Sequence, residues 1–183
     1  MTPEIAVILQ RASARRTMLA GLLDALPLEY WERRAPGDAW SVRDHVAHLA
    51  VVDRPFLPLL AEAAGGAFDC WLGGRERGAL IRTREANMDS MAGLEIGALR
   101  AALGRARADV EGALSALPAA ACDMLVHIPD ATGPWGEPVA LPLRNYLVSW
   151  AEHDGVHEAA IRRAIVTPPD LVTVMFVRAA RSG

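Results

Sequence analysis

The sequence lacks several features that mark common functional classes. It contains no lysine, so all 19 basic residues are arginine, and its formal net charge is −3. With no basic stripe along the chain, this balance argues against a nucleic-acid partner. Only two cysteines are present, Cys70 and Cys122. They form no CxxC pair, and two cysteines do not make a disulfide framework.

Long hydrophobic runs are also missing. There is no stretch of about 18 apolar residues, and no charged segment followed by an apolar one opens the chain. We therefore expect a cytoplasmic protein with no membrane partner. Aromatic residues account for 5% of the chain and apolar residues for 52%, so the core must come mainly from Ala, Leu and Val, which favours closely packed helices. At 183 residues the chain is predicted to form one domain, residues 1–183.

Apolar residues recur at helical spacing in four stretches. The first helix is predicted to begin after an N-cap at Thr2 and to run to about Leu26. Ser41 caps the second helix, and Asp44 three residues later completes a short form of the capping box.

The end of the second helix and the start of the third are less sharply marked. Pro55 and Pro58 should kink or end the second helix, because each removes a helical N–H. The third helix is strongly periodic over residues 94–117, and helical residues can begin as early as Arg75.

A long connection precedes the last helix. Residues 118–141 are predicted to be non-helical, with two extended pieces at 125–128 and 138–141 that suggest a small hairpin. The fourth helix has Pro142 near its first turn and stops at Thr167. The predicted fold is therefore all-α, an antiparallel four-helix bundle with a long crossover before the last long helix.

Four of the five histidines fall in two short helical windows. His153 and His157 are four residues apart, which places them one turn apart on one face of the fourth helix. They share this face with core residues, and two buried imidazoles are awkward without a common partner. A divalent ion would resolve this, because histidine is the commonest metal ligand among side chains. His45 and His48 lie early in the second helix, and their spacing alone does not decide which of them supplies a third ligand.

Three imidazoles would leave an ion open at one or more positions, as in a catalytic site. Acidic residues near the histidines in sequence could orient the ligand N–H groups, or could belong to a solvated helix surface. These acids are Asp44, Asp53, Glu152 and Asp154.

The order and spacing of these motifs resemble the DinB-like superfamily of metal-binding four-helix bundles. The resemblance rests on Trp40-Ser-Val-Arg, a His-Leu pair eight residues after the tryptophan, and His-Asp-x-x-His before Ile-Arg in the last long helix. It covers roughly residues 41–165. It implies that His48, His153 and His157 are the metal ligands and that His45 is only a neighbour. Gly155, inside the ligand turn, departs from the pattern and lowers helix propensity by about 1 kcal/mol.

The resemblance also implies a chemistry. Several members are thiol-dependent transferases or isomerases that use bacillithiol, mycothiol or glutathione with one nickel or zinc ion. We therefore expect a metal-dependent thiol S-transferase that acts on small electrophiles in stress or detoxification, with catalytic residues beyond the metal ligands unknown. Metal coordination deprotonates a thiol, which supplies a nucleophile at neutral pH. Three arginines could hold the carboxylates of such a thiol or could be solvated: Arg43, Arg144 and Arg162.

Two other interpretations of the function remain open. His153-Asp-Gly-Val-His157 resembles the H-E-x-x-H helix of zinc proteases, but the shorter Asp154 replaces the glutamate base and no ligand histidine follows. A metallohydrolase is therefore the weaker alternative. The other is a non-catalytic metal-binding bundle that acts by association.

For the remaining features, a structural role competes with a functional one. His127, in the crossover, is expected to be structural or exposed. Three tryptophans in the connections could cover the mouth of the site, but packing of the loops is the favoured role: Trp31, Trp71 and Trp135. Apolar residues of the tail could pack on a second copy, so a homodimer is expected: Val172, Val174, Phe176 and Val177.

Overall fold

The computed structural model describes residues 1–133 and 138–166, so Trp135 and the tail to which the homodimer prediction refers lie outside the described residues. Its helices are α1 (Pro3–Asp24), α2 (Val42–Val51), α3 (Phe56–Ala64), α4 (Ala79–Ala92), α5 (Ile96–Ser115) and α6 (Leu143–Val166). The strands are β1 (Asp69–Trp71), β2 (Leu125–Thr132) and β3 (Pro138–Pro142), and short 3₁₀ helices occupy Leu28–Tyr30 and Ala119–Asp123.

Both predicted helix caps are confirmed. The Thr2 hydroxyl accepts a hydrogen bond from the Ile5 N–H at 3.2 Å, which satisfies one of the free donors at the start of α1. At the start of α2, the Asp44 N–H donates to the Ser41 hydroxyl at 3.2 Å, and the Ser41 N–H donates to the Asp44 carboxylate at 2.8 Å. This reciprocal capping box sets where α2 begins, and with it the turn on which His45 and His48 lie.

The middle of the chain contains more breaks than the periodicity predicts. The second predicted helix divides into α2 and α3 around Pro55, whereas Pro58 lies in the first turn of α3, where its missing N–H has no helical acceptor to lose. The third predicted helix divides into α4 and α5, because α4 ends at a C-cap Gly93. The early start near Arg75 corresponds to α4, a separate helix.

Four helical rods, α1, α2–α3, α5 and α6, surround a core of two buried clusters. One cluster joins the starts of α1 and α6 with α3 and the end of α5, for example Ile5, Leu143, Phe56 and Leu114. The other joins the ends of α1 and α6 with α2 and the start of α5, for example Leu23, Ile161, Val46 and Leu99.

These clusters show that α1 and α6 run in the same direction and that α2–α3 and α5 run opposite to both. A bundle is confirmed, but strictly alternating antiparallel packing is not found. The connection that runs back along the bundle is α4, between the second and third rods, because Leu80 packs at one cluster and Met91 at the other. The predicted long crossover before the last helix instead joins two neighbouring helix ends.

The connection before α6 carries the predicted hairpin as part of a larger sheet. β2 and β3 pair antiparallel, with Val126 opposite Leu141, as the sequence predicts. β1 adds a third, parallel strand, with Cys70 opposite Val126, so the fold is mainly helical with a small mixed sheet. The sequence predicted at most a short hairpin, and this was wrong because it missed β1. A three-residue strand is too short to show a periodicity, and the partner of β1 lies far away in sequence.

None of the helices in the described ranges has a stretch long and apolar enough to cross a lipid bilayer.

Candidate metal centre

Three histidines from two helices converge inside the bundle. His153 and His157 lie one turn apart on α6, and their Nε2 atoms are 3.1 Å apart. His48 faces them from α2, with its ring centroid 4.8 Å from that of His157 and 5.3 Å from that of His153. One nitrogen from each residue lies within 4.8 Å of the others, and a group with this geometry can hold a metal ion.

The spacing between His153 and His157 fits a shared ion. Two imidazole nitrogens bound at 2.0–2.1 Å and separated by a tetrahedral or right angle lie about 2.9–3.4 Å apart. The observed 3.1 Å between the two Nε2 atoms falls in this range. A nitrogen of His48 lies no more than 4.8 Å from those of the other two residues.

The environment of the three rings suits metal ligation. Burial is the main cause that lowers the pKa of His48 to about 3 and that of His157 to about 2, with the neighbouring histidines as a further cause. Burial also lowers the pKa of His153. All three rings are therefore neutral at pH 7, as a ligand must be. Within the described part of the chain, the buried Nδ1 of His48 has no hydrogen-bond partner, which is a costly state that an added cation or ligand can relieve.

His45 lies beside this group but faces other partners. Its Nδ1 is 3.0 Å from Nδ1 of His157, and its Nε2 is 3.3 Å from the carboxylate of Asp38. Burial lowers the pKa of His45, while Asp38 acts in the opposite direction. Among the described residues, the group of possible metal ligands contains His48, His153 and His157 but not His45.

Trp40, which enters the family resemblance only as a motif position, forms one wall of the site. The Trp40 ring stacks on His157 at 5.9 Å between centroids and lies 4.9 Å from His48 and 5.4 Å from His45. Trp31 is instead buried in the core, and Trp71 stacks on His127 at the sheet. The favoured packing role of these two residues is consistent with their positions.

His127 is half-buried, and its Nε2 lies 3.4 Å from the carboxylate of Asp69, so it has local partners at the sheet. It is not part of the three-histidine group.

The acids proposed as partners of the ligands are engaged elsewhere. Asp44 belongs to the capping box of α2, and Glu152 forms an ion pair with Arg15 on the surface. Asp154 is fully buried and accepts hydrogen bonds from Arg16 and Arg107, with one oxygen shared by both guanidinium groups. With both oxygens occupied, Asp154 is poorly placed to act as the base of an H-E-x-x-H-like site.

Asp53 completes a buried charge network beside the histidines. Its carboxylate accepts a hydrogen bond from the Trp150 indole at 2.8 Å and pairs with Arg107 at 3.4 Å. Burial raises the pKa of Asp53, whereas Arg107 and the indole lower it. The guanidinium of Arg107 lies over the Trp150 ring, 4.1 Å from its centroid. The network, made of Arg16, Arg107, Asp53 and Asp154, ties α6 to α1 and α5 next to the ligand turn.

The arginines whose charges act on the site histidines are not those that the sequence suggested. Arg43 donates to backbone carbonyls at the end of α4 and just after it, Arg144 pairs with Asp123, and Arg162 pairs with Glu158. Four other arginines act on the site electrostatically, in addition to burial as the main cause. Arg107 and Arg16 lower the pKa of His153. Arg84 on α4 lowers the pKa of His48, and Arg163 lowers that of His45. Sequence periodicity could not reveal this, because α4 was not recognised as a separate helix against α2.

Comparison with known families agrees with this architecture. The family model of the DinB superfamily matches residues 11–161, which is most of the chain and includes all four histidines of the site region. The chain belongs to the DinB superfamily. The matched range spans the capped start of α2 and the turn of α6 that carries His153 and His157.

Two solved crystal structures have the same fold as this DinB superfamily member. The crystal structure of the mycothiol-dependent maleylpyruvate isomerase has a TM-score of 0.64 at 16% identity, and that of a mutant has 0.65 at 15%. Each match covers 88% of this chain and 63% of the other, so the chain spans less than two thirds of the enzyme's length. No curated protein matches the sequence.

Proposed function

We propose that His48, His153 and His157 bind one divalent ion, nickel or zinc, and that the protein is a thiol-dependent transferase for small electrophiles. The observation that carries the proposal is the convergence of three neutral, mostly buried imidazoles from α2 and α6. Imidazole donors suit both metals. When bound, the ion would deprotonate a low-molecular-weight thiol at a position that the protein leaves open, and so supply a nucleophile.

The residues around the histidines have separate roles in this proposal. Trp40 covers one side of the group and excludes water from it, as its ring contacts with His48 and His157 suggest. Arg84 on α4 contributes a positive charge that is felt at His48, and such a charge would favour the carboxylates of an anionic thiol. Neither cysteine serves as the sulfur, because both are buried away from the histidines, in the cluster at the other end of the bundle.

The choice of a thiol rests on similarity and on the character of the site. The structural neighbours are named as mycothiol-dependent, and the family membership supports a related chemistry. Bacillithiol, mycothiol and glutathione are the candidate thiols. The first electrophile to test is one that forms a stable thioether conjugate, because isomerisation of a compound such as maleylpyruvate would return the thiol unchanged.

Metal content tests the ligand assignment. We expect about one ion per chain in the parent protein and loss of most metal in each alanine variant of the three ligands, because an ion with two imidazoles loses much of its binding energy. His45→Ala should keep the parent stoichiometry at saturating metal, and His127→Ala is a matched control at the sheet. Retention of metal in all three ligand variants would place the site elsewhere. Metal loss in His45→Ala with retention in His48→Ala would show that the assignment on α2 is wrong.

Turnover separates the proposal from a non-catalytic metal-binding bundle. We expect thiol consumption with an electrophile that is lost on chelation and restored by the added ion. Arg84→Ala should raise the KM for the thiol while kcat changes little. Full metal occupancy without turnover for any of the three thiols would favour the non-catalytic bundle. Chelator-sensitive peptide hydrolysis would favour the metallohydrolase, whose base could not be Asp154 in its observed contacts.

A further inference from the structure

A chain of polar contacts leads from a turn at the surface to the candidate ligand His157. Asp38 precedes α2, and its carboxylate lies 3.3 Å from Nε2 of His45. The other ring nitrogen of His45, Nδ1, lies 3.0 Å from Nδ1 of His157. The remaining nitrogen of His157, Nε2, lies 3.1 Å from Nε2 of His153. Each contact is at hydrogen-bond distance or close to it, and the two middle residues are buried.

The direction of these hydrogen bonds follows from the first group. A hydrogen bond from the Trp40 backbone N–H is the main cause that lowers the pKa of Asp38, so this carboxylate is ionised and can only accept. Nε2 of His45 must therefore carry a proton. In a neutral imidazole the other nitrogen is then a bare acceptor, so Nδ1 of His45 accepts from Nδ1–H of His157.

The last step places a lone pair at the site. With its proton on Nδ1, His157 presents a bare Nε2 toward His153, and this is the atom whose spacing fits a shared ion. If His45 instead donated from Nδ1 to His157, its Nε2 would carry a lone pair that faces the lone pairs of the Asp38 carboxylate. Ligand histidines commonly donate their second N–H to a carboxylate or carbonyl. Here that acceptor is another histidine.

We propose that Asp38 and His45 form a relay that fixes His157 in the Nδ1–H tautomer, which makes His45 a positioning residue. The metal-related part of this inference rests on the proposed function, whereas the tautomer itself does not. The relay also assigns a direction to the contact between His153 and His157. In the metal-free protein Nε2–H of His153 donates to Nε2 of His157, so His153 must change tautomer if it binds an ion through Nε2.

The tautomers can be read directly in the metal-free protein. Two-bond ¹H–¹⁵N correlation spectra of chelator-treated, ¹⁵N-histidine-labelled protein distinguish the two neutral tautomers, and single-histidine variants assign the signals. We expect His157 as Nδ1–H and His45 as Nε2–H. Observation of His157 mainly as Nε2–H would overturn the relay whether or not the protein binds metal.

Two substitutions at His45 then test what the relay contributes. His45→Asn keeps an oxygen acceptor near the position of Nδ1, whereas His45→Leu has similar bulk and no acceptor. We expect His45→Leu to weaken zinc binding by about 10- to 100-fold in a chelator competition, and His45→Asn to recover most of that loss. His45→Leu should also give a mixture of His157 tautomers.

The possible results separate the two hypotheses. Parent-like zinc affinity in His45→Leu, with His157 unchanged in its tautomer, would overturn the relay. Failure of the parent protein to bind zinc or nickel would refute the proposed function, while the tautomer spectrum would still decide the relay. If His45→Leu does not fold, the spectrum of the parent protein decides it alone.

Discussion

The buried charge network beside the ligand turn yields a prediction for stability. Asp154→Asn keeps the shape of the side chain but removes the charge that pairs with Arg16 and Arg107. One guanidinium N–H would then face the amide NH₂ group, donor against donor. Arg107, which is 3% exposed as a side chain, would be left with Asp53 as its one remaining carboxylate in the network.

The expected loss of unfolding free energy follows from the burial of this ion pair. Removal of one partner of a buried ion pair typically costs 3–5 kcal/mol. Arg16 is 14% exposed in its side chain and can regain some solvation, so we expect the lower end, about 3 kcal/mol. For a chain of this size that corresponds to a fall in Tm of about 6–12 °C.

Urea unfolding in the presence of chelator measures this free energy without a contribution from bound metal. Glu152→Gln is the matched control, because Glu152 lies on the same helix as Asp154 and also pairs with an arginine of α1, Arg15, but with side chains 40% and 41% exposed. That pair should contribute under about 1 kcal/mol. The reasoning is refuted if Asp154→Asn lowers the unfolding free energy no more than Glu152→Gln does.

Three further predictions concern acid stability, thiol reactivity and the ligand turn. The lowered pKa values of His48, about 3, and His157, about 2, mean that the unfolded chain binds more protons below pH 6.5. The metal-free protein should therefore lose about 3 kcal/mol of unfolding free energy between pH 6.5 and 5, and a flat urea midpoint over that interval would contradict this. Burial raises the pKa of Cys70 to about 12 and also raises that of Cys122, so a thiol reagent at pH 8 should label both only on unfolding. Rapid labelling of the native protein would show that the sheet end opens. Gly155→Ala should stabilise the chain by up to about 1 kcal/mol in thermal unfolding, because a Cβ there meets only the flexible Arg15 side chain at 3.3 Å. A lower Tm would mean that Arg15 cannot move aside.

Local signals in the sequence predicted the elements that carry the site. The Thr2 cap and the Ser41 capping box were recognised because they satisfy backbone donors within three residues of the same chain segment. The one-turn spacing of His153 and His157 likewise depends only on helix geometry. For the same reason the antiparallel pairing of β2 with β3 could be predicted from a short hairpin pattern.

Long-range partners were not predictable from the same signals. Because the third predicted helix is divided at Gly93, α4 is a separate helix that runs along the bundle, and its Arg84 lowers the pKa of His48 after burial, the main cause. The parallel strand β1 pairs with a segment more than fifty residues later, and no local pattern specifies that pairing. Asp154 has the sequence context of a surface acid, yet it is fully buried between two arginines.

The sequence by itself determined which residues can form helices, where these begin, and that histidines recur at one-turn spacing, since these properties depend on neighbours along the chain. The tertiary structure decided how the rods run and which side chains meet. It placed His48 rather than His45 in the group of converging nitrogens, and it placed His45 between Asp38 and His157. The two residues lie three positions apart on α2, so the orientation of this helix about its axis decides which of them faces the other histidines. That orientation is set by packing of α2 against α5 and α6, and it cannot be read from the sequence of α2 alone.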